Sequence, residues 1–337
     1  MSDELFAATP ATGAPPLVDV NVTAFRRTTF LRDALRSVLA QTDARWHLRI
    51  CENGPGGGDI ERLAAEFLSD PRVSYHATGR ELSQAENWTN AINLGDAPFV
   101  ALLNDDDWWD PDYLRVRLGA LEANLGCGFA FSEWKLVDEV GLEIVRSPVR
   151  FTEGVPSRAS LAHHLLRHNI AVPPAIVIRR SALEAVGAFY DERWQFFDWE
   201  LLARLAAQFT AYYLPLHDNS YRRHGSAVTF NRSEEPDRLI GMLAHIEELF
   251  ERHMGLSMSP LARRDLRSQA LLEAAADIHP SAGWSQSRGL YWRAVRIFPP
   301  SVAKRQALGM YAMTVVGARL FQRLQAARRQ AAPRNVH

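Results

Sequence analysis

Cysteine is almost missing from this 337-residue chain, which has only Cys51 and Cys127. Two cysteines cannot build a disulfide framework, and their spacing suits no zinc site. Two buried thiols of a reducing compartment are expected instead. Long apolar runs are missing as well. No stretch reaches the ~18 residues of a spanning helix, and Leu308 to Val316 comes nearest. Met1 to Pro16 carries Asp3 and Glu4 and lacks the basic start and apolar core of a signal peptide, so residues 1–16 read as a flexible lead. These absences predict a cytoplasmic protein that meets a membrane only at its surface. An excess of either charge is lacking too. With 38 Lys and Arg against 39 Asp and Glu, the net charge of −1 argues against nucleic acid as a partner. One local absence is sharper. After Asp277 there is no acidic residue, while ten Lys or Arg residues run from Arg288 to Arg334, so the neutral total conceals a basic tail.

What is present is a regular alternation. Leu17 to Thr23 is a short β-prone run, and Phe30, Leu31, Ala34, Leu35, Val38 and Leu39 then recur at helical spacing. A strand at His47 to Cys51, a glycine-rich loop at Asn53 to Gly58 and a helix from Asp59 to Leu68 follow. A strand at Arg72 to His76, a helix at Ser83 to Leu94 and a strand at Pro98 to Leu103 complete the first half. This order predicts an α/β fold with a doubly wound, mostly parallel sheet flanked by helices. Strands are expected at Phe129 to Val137, Ala175 to Arg179 and Ala211 to Leu214. Helices are expected at Ser160 to Arg167, Ser181 to Val186 and Phe197 to Gln208, with a loop running through Ser226. From Glu234 onward the pattern is helical. The predicted organisation is a lead (1–16), an α/β domain (17–233) and a helical C-terminal region with a basic tail (234–337).

Asp105, Asp106 and Asp107 follow Asn104 directly after the apolar run Pro98 to Leu103. Adjacent carboxylates raise one another's pKa, and a divalent cation bound through oxygen removes the conflict. Ligands in open α/β sheets gather at the carboxyl ends of the strands, where these acids stand. Asp110 and Asp112, around Pro111, read instead as the start of the next helix. The glycines from Gly54 to Gly58 lack a phosphate-loop ending and read as a connection. Trp108 and Trp109 read as core and cleft wall, and His163 and His164 as structural residues.

Taken together, the segments from Val18 to Thr229 resemble family 2 glycosyltransferases of the GT-A fold. VDVNVTAFRR (18–27) is similar to that family's opening strand and nucleotide-contacting turn, and FLRDALRSVLAQT (30–42) to its first helix. Ser83 to Asn93 resembles the helix ahead of the metal strand, and LNDDDWWDP (103–111) the aspartate motif. PPAIVIRRSALEAVGAF (173–189) resembles the acceptor-side segment, FDWELLAR (197–204) the base helix, and YRRHGSAVT (221–229) the late histidine loop. The resemblance implies nucleotide contacts from Thr23, Phe25, Arg26, Glu52, Asn53, Asn87 and Asp105. It also implies a Mg²⁺ or Mn²⁺ ion on Asp106, a metal or diphosphate contact from His224, and Asp198 as catalytic base. A nucleotide-sugar donor and a glycan or lipid-linked glycan acceptor are the implied partners, and an inverting transfer in bacterial envelope or exopolysaccharide assembly is the implied reaction.

The chain departs from that pattern at four positions. Asn53 stands where the family commonly has aspartate, which puts the identity of the nucleotide base in question. Asn104 replaces the leading aspartate of the metal motif. Phe197 replaces a glutamate ahead of Asp198, and Glu86 replaces a frequent arginine. A sugar nucleotidyltransferase is the alternative enzyme class, with Arg26 and Arg27 a partial match to its basic loop. A non-catalytic sugar-binding relative is a third reading, kept open by Asn53 and Asn104. In the tail, Leu308, Tyr311, Ala312, Val315, Leu320 and Leu324 among the arginines suggest a basic amphipathic helix. Such a helix either packs on the protein or meets an anionic membrane.

Overall fold

The computed structural model describes residues 15–187, 196–225, 236–278, 284–297 and Leu308. The expected lead, apart from residues 15 and 16, and the tail beyond 297, apart from Leu308, lie outside these. The chain divides into two compact units, one of Met1–Glu192 with Phe196–Val228 and one of Arg193–Gln195 with Thr229–His337.

The first unit opens with β1 (Val18–Ala24), α1 (Leu31–Leu39), β2 (Trp46–Glu52), α2 (Asp59–Ala65), β3 (Val73–Ala77), α3 (Gln84–Asn93) and β4 (Phe99–Asn104). β5 (Trp108–Trp109), α4 (Tyr113–Ala123), β6 (Cys127–Ser132), β7 (Lys135–Val137) and β8 (Glu143–Arg146) follow. Then come α5 (Arg158–Leu165), β9 (Ile176–Arg179), α6 (Arg180–Val186), α7 (Phe197–Gln208), β10 (Thr210–Leu214) and β11 (Asn219–Arg222). The main sheet has the order β10-β6-β9-β4-β1-β2-β3, and only β9 runs antiparallel to its neighbours. This is the α/β, mostly parallel architecture expected from the strand and helix order.

β1 is buried along its whole length, as a central parallel strand must be, and its Val18, Val20 and Val22 join Leu31, Leu35 and Val38 of α1 in the core. The intervening Asp19 is fully buried yet satisfied. It accepts from Arg180 at 2.7 Å and from the Ala97 N–H at 2.9 Å, and it pairs with Arg49. Both cysteines are buried free thiols, and burial pushes the Cys51 thiol up to about 12.

Two expectations need correction, and both bear on the site. The run Phe129 to Val137 is two strands, not one, because the chain leaves the main sheet at Glu133–Trp134 to enter a second sheet. Glu133 is fully buried there, accepting from Tyr213 Oη at 2.7 Å and Ser147 Oγ at 2.5 Å and pairing with Arg150. The segment expected to be loop through Ser226 contains β11, which pairs antiparallel with β5 and parallel with β7 in a four-stranded sheet β5-β11-β7-β8. That small sheet ties the two tryptophans after the acid motif to the residues just ahead of His224.

In the second unit, α8 (Pro236–Met254), α9 (Pro260–Ile278) and α10 (Trp284–Ile297) form a helical group, as expected from Glu234 onward. Leu271, Ala274, Tyr291 and Ala294 make its apolar centre. Glu247 of α8 holds Arg263 of α9 through a fork with Oε2 at 2.7 Å from Nε. Among the described residues no helix is long and apolar enough to cross a membrane.

Candidate active site

β1 and β4 are parallel neighbours with Thr23 opposite Asn104. Their carboxyl ends therefore deliver the turn Phe25–Arg27 and the acids Asp105–Asp107 side by side. Asp105 is buried and accepts from the Phe25 N–H at 3.2 Å and from Arg27 Nη2 at 2.7 Å. Arg27 Nη2 also reaches Asp106 Oδ2 at 2.5 Å. His224 Nε2 lies 3.0 Å from the same Asp106 oxygen, and the His224 ring rests on Phe30 with centroids 4.9 Å apart. Asp107, fully buried, accepts from the Arg222 N–H and from Asn104 Nδ2, both at 2.8 Å. Asp105 and Asp106 thus share Arg27 and differ in their other partner, the Phe25 N–H for Asp105 and His224 for Asp106, while Asp107 is taken up by Arg222 and Asn104.

The electrostatics follow from burial. Burial pushes the Asp105 carboxyl up to about 6; Asp106 adds to the shift, while Arg27 and the Phe25 N–H oppose it. Burial and the charge of Asp106 raise Asp107 well above the usual carboxylate range. Burial works against the Arg27 charge, but its hydrogen bond to Asp105 and the three acids hold the guanidinium above its ordinary value.

From the sequence Arg27 reads only as a partial match to a nucleotidyltransferase's basic loop, not as a partner of the acids, and Arg222 and Glu139 are not singled out. Arg222 stacks between Phe30 and Trp108, with its guanidinium carbon 4.2 and 4.6 Å from their ring centroids. It donates to the Asp106 carbonyl at 3.0 Å and to the Glu139 carbonyl at 2.7 Å, and the Glu139 carboxylate accepts from the Gly225 N–H at 3.0 Å. The loop carrying His224 is therefore fastened to the acid motif. Trp109 is core, stacked on Tyr113 and donating to the Pro174 carbonyl at 2.7 Å. Asp112 stands at the N-cap of α4, but its carboxylate caps no backbone N–H and takes Thr42 Oγ1 at 2.6 Å instead.

Glu52 and Asn53, expected to contact the nucleotide, stand where β2 ends beside β1, and the Asn53 N–H donates to the Ala24 carbonyl at 2.9 Å. Arg26 is the one non-glycine residue with positive φ (59°) among those described, and it forks onto Glu81 at 2.7 Å. A bulky residue in that region is strained, and such strain gathers at functional turns. Glu52 is buried and accepts from Tyr75 Oη at 2.5 Å. Asn53 is clasped at both ends by one residue: its Oδ1 accepts from the Leu82 N–H at 2.8 Å, and its Nδ2 donates to the Leu82 carbonyl at 2.9 Å. Aspartate could not make the second bond. Glu86 closes a capping box with Ser83 at the start of α3. Asn87, one residue on, is buried with an Oδ1 that no group among the described residues satisfies, the condition in which a ligand donor is wanted.

Asp198 stands in the first turn of α7, half-buried, accepting from Asn169 Nδ2 at 2.8 Å. It borders an apolar pocket lined by Val100 and Leu102 of β4, Ile176 of β9, and Leu201 and Leu205 of α7. Burial raises its pKa against the lowering effect of Asn169 and the helix backbone. Leu102 and Asn104 share a face of β4, so the Asp198 pocket and the acid motif are built on one strand. Glu200, two residues on, is buried and holds Arg204 Nε at 2.8 Å.

Among the described residues no three His, Cys, Asp or Glu side chains form a preassembled metal cluster. The donor set nevertheless suits Mg²⁺ or Mn²⁺. One or two protein ligands with the rest taken from substrate phosphates is the usual arrangement for Mg²⁺, and an imidazole beside a carboxylate is compatible with Mn²⁺.

The family model for glycosyl transferase family 2 matches residues 19–187. The chain is 22% identical over 122 residues to UDP-Glc:α-D-GlcNAc-diphosphoundecaprenol β-1,3-glucosyltransferase WfgD of Escherichia coli, covering 36% of this chain and 47% of that one. The chain spans at most 60% of the length of the curated relatives it matches. Among solved structures it superposes on residues 1–349 of S. aureus TarS with a TM-score of 0.61 at 9% identity, covering 88% of this chain and 89% of that one. TarS is also known in complex with UDP-GlcNAc. It further resembles the mannosyltransferase PcManGT of Pyrobaculum calidifontis, bound to GDP-Man and Mn²⁺, with a TM-score of 0.51 at 14% identity, covering 90% of this chain and 86% of that one. The family match covers half the chain and includes the strands that carry the acid motif, the sheet is that of its structural neighbours, and the chain belongs to glycosyl transferase family 2.

Proposed function

We propose that the protein transfers a sugar, with inversion, from a nucleoside-diphosphate sugar to an acceptor hydroxyl, using a divalent cation. The convergence of Asp105, Asp106 and His224 at the carboxyl ends of β1 and β4 carries this reading. Asp106 and His224 would hold the cation, which when bound neutralises charge on the leaving diphosphate. Asp105, fixed by the Phe25 N–H and Arg27, presents a buried carboxylate to the donor's ribose side. Thr23, Phe25, Arg26, Glu52 and Asn53 border the nucleotide, and Asn87 offers its unsatisfied Oδ1 there. Asp198 accepts the acceptor's proton as its oxygen attacks the anomeric carbon. Its apolar surroundings raise its basicity for that task.

Relatives act on lipid-diphosphate glycans or bind UDP- and GDP-sugars, which supports a glycan or lipid-linked glycan acceptor in bacterial envelope polysaccharide assembly. The setting we propose is the cytoplasmic face of the membrane, with the basic tail as the contact. Incubation with UDP- and GDP-sugars and Mn²⁺ tests the reaction class. Release of free nucleoside diphosphate is expected; release of pyrophosphate would favour a nucleotidyltransferase, and no turnover with any donor a non-catalytic relative.

A further inference from the structure

Arg27 occupies a position that a metal-dependent site does not leave to chance. Its Nη2 bridges Asp105 Oδ1 at 2.7 Å and Asp106 Oδ2 at 2.5 Å, and its side chain is only 22% exposed. Two adjacent buried carboxylates repel each other unless positive charge stands beside them. Here that charge is a guanidinium, and it faces the Asp106 oxygen that His224 also faces. A divalent ion bound to that oxygen at ~2.1 Å would meet the guanidinium within van der Waals distance, and both are positive. The two compete for the negative charge of one carboxylate, so each weakens the binding of the other. Arg27 has somewhere to go when a nucleoside diphosphate arrives, because phosphate oxygens accept a planar guanidinium in a bidentate manner. Asp105 stays anchored meanwhile by the Phe25 N–H.

The geometry points to Arg27 as an ion-exchange residue: it is the resident counter-ion of Asp105 and Asp106, and it makes cation binding wait for the diphosphate that draws it away. This rests on the assignment of Asp106 as a cation ligand. Its consequence is a coupling: Mn²⁺ alone binds weakly, a nucleoside diphosphate tightens it, and by linkage Mn²⁺ tightens the nucleotide by the same factor.

Calorimetric titration of the full chain with Mn²⁺, alone and with saturating UDP or GDP, tests this. Replacing Arg27 with Gln should tighten Mn²⁺ binding without nucleotide by about tenfold and reduce the nucleotide-induced gain by a similar factor. A purely structural arginine would give the opposite sign, because disordering the acids weakens the metal. Arg27→Lys keeps the charge but not the planar fork, so it should tighten Mn²⁺ binding by a smaller factor. It also serves if thermal melts show that Arg27→Gln does not fold. Equal or weaker Mn²⁺ binding by the folded variants would overturn the exchange role. Asp106→Ala separates the two levels: if wild type and Asp106→Ala bind Mn²⁺ with nucleotide alike, the cation assignment itself fails. If they differ while the Arg27 variants match wild type, only the exchange role fails.

Discussion

Asp105, Asp106 and Asp107 are chemically identical side chains in three different environments, which their neighbours set. Asp107 is consumed by Arg222 and Asn104, and Asp105 is held by Phe25 and Arg27. The raised pKa of Asp105 has a consequence for stability. A group that binds its proton more tightly when folded stabilises the fold at low pH and loses that contribution as pH rises, here from about 4 to about 6. Asp105→Asn lacks this loss, so its stability relative to wild type should rise by on the order of 2–3 kcal/mol between pH 4 and pH 7. Urea unfolding at both pH values measures the change, and a difference independent of pH would contradict the assigned environment.

The same reasoning applies to Asp198. Asp198→Asn should lower turnover by about 10²–10⁴-fold with donor affinity nearly unchanged. Because burial raises its pKa, the acidic limb of kcat/KM should lie above the ordinary aspartate range. Asn169→Ala removes the bond that favours the carboxylate and should move that limb to higher pH. A limb that stays in place would remove Asp198 from the reaction. Glu200 lies two residues further along the same helix. Buried against Arg204, it is a structural residue whose loss is expected to lower stability rather than turnover.

At the scale of elements, what was legible was whatever repeats locally. β1, α1, β2, α3 and β4 follow from period and punctuation, and the acids were conspicuous because like charge at a buried strand end needs a reason. What was hidden depends on register between distant segments. Arg222 reaches Asp107 across 115 residues only because β11 pairs with β5, a two-residue strand too short to show any period. Arg27 sits beside Arg26 in sequence; the parallel register of β1 with β4 brings their turn to the acids, and within it Arg26, at φ 59°, goes to Glu81 while Arg27 goes to the acids. Glu86 is different, because the spacing of Ser83 and Glu86 is a capping-box signature readable without coordinates. Ser83→Ala should therefore cost about 1 kcal/mol, read as a lower midpoint in urea with unchanged nucleotide specificity. An altered specificity would place Ser83 in the binding site.

At the scale of the whole molecule, a near-zero net charge coexists with a C-terminal stretch free of acids. If that tail meets an anionic membrane, the protein should sediment with anionic vesicles at low salt and lose this after truncation at Pro299; equal sedimentation by both forms would count against it. The central claim concerns the corner where β1 and β4 end, and binding tests it without knowledge of the acceptor. Calorimetry with UDP and GDP, with and without Mn²⁺, on wild type and Asp106→Ala is the direct measurement. Wild type is expected to bind at least one nucleotide in a Mn²⁺-dependent manner, and a folded Asp106→Ala to lose that binding. Binding that ignores Mn²⁺, or survives unchanged in Asp106→Ala, would contradict it.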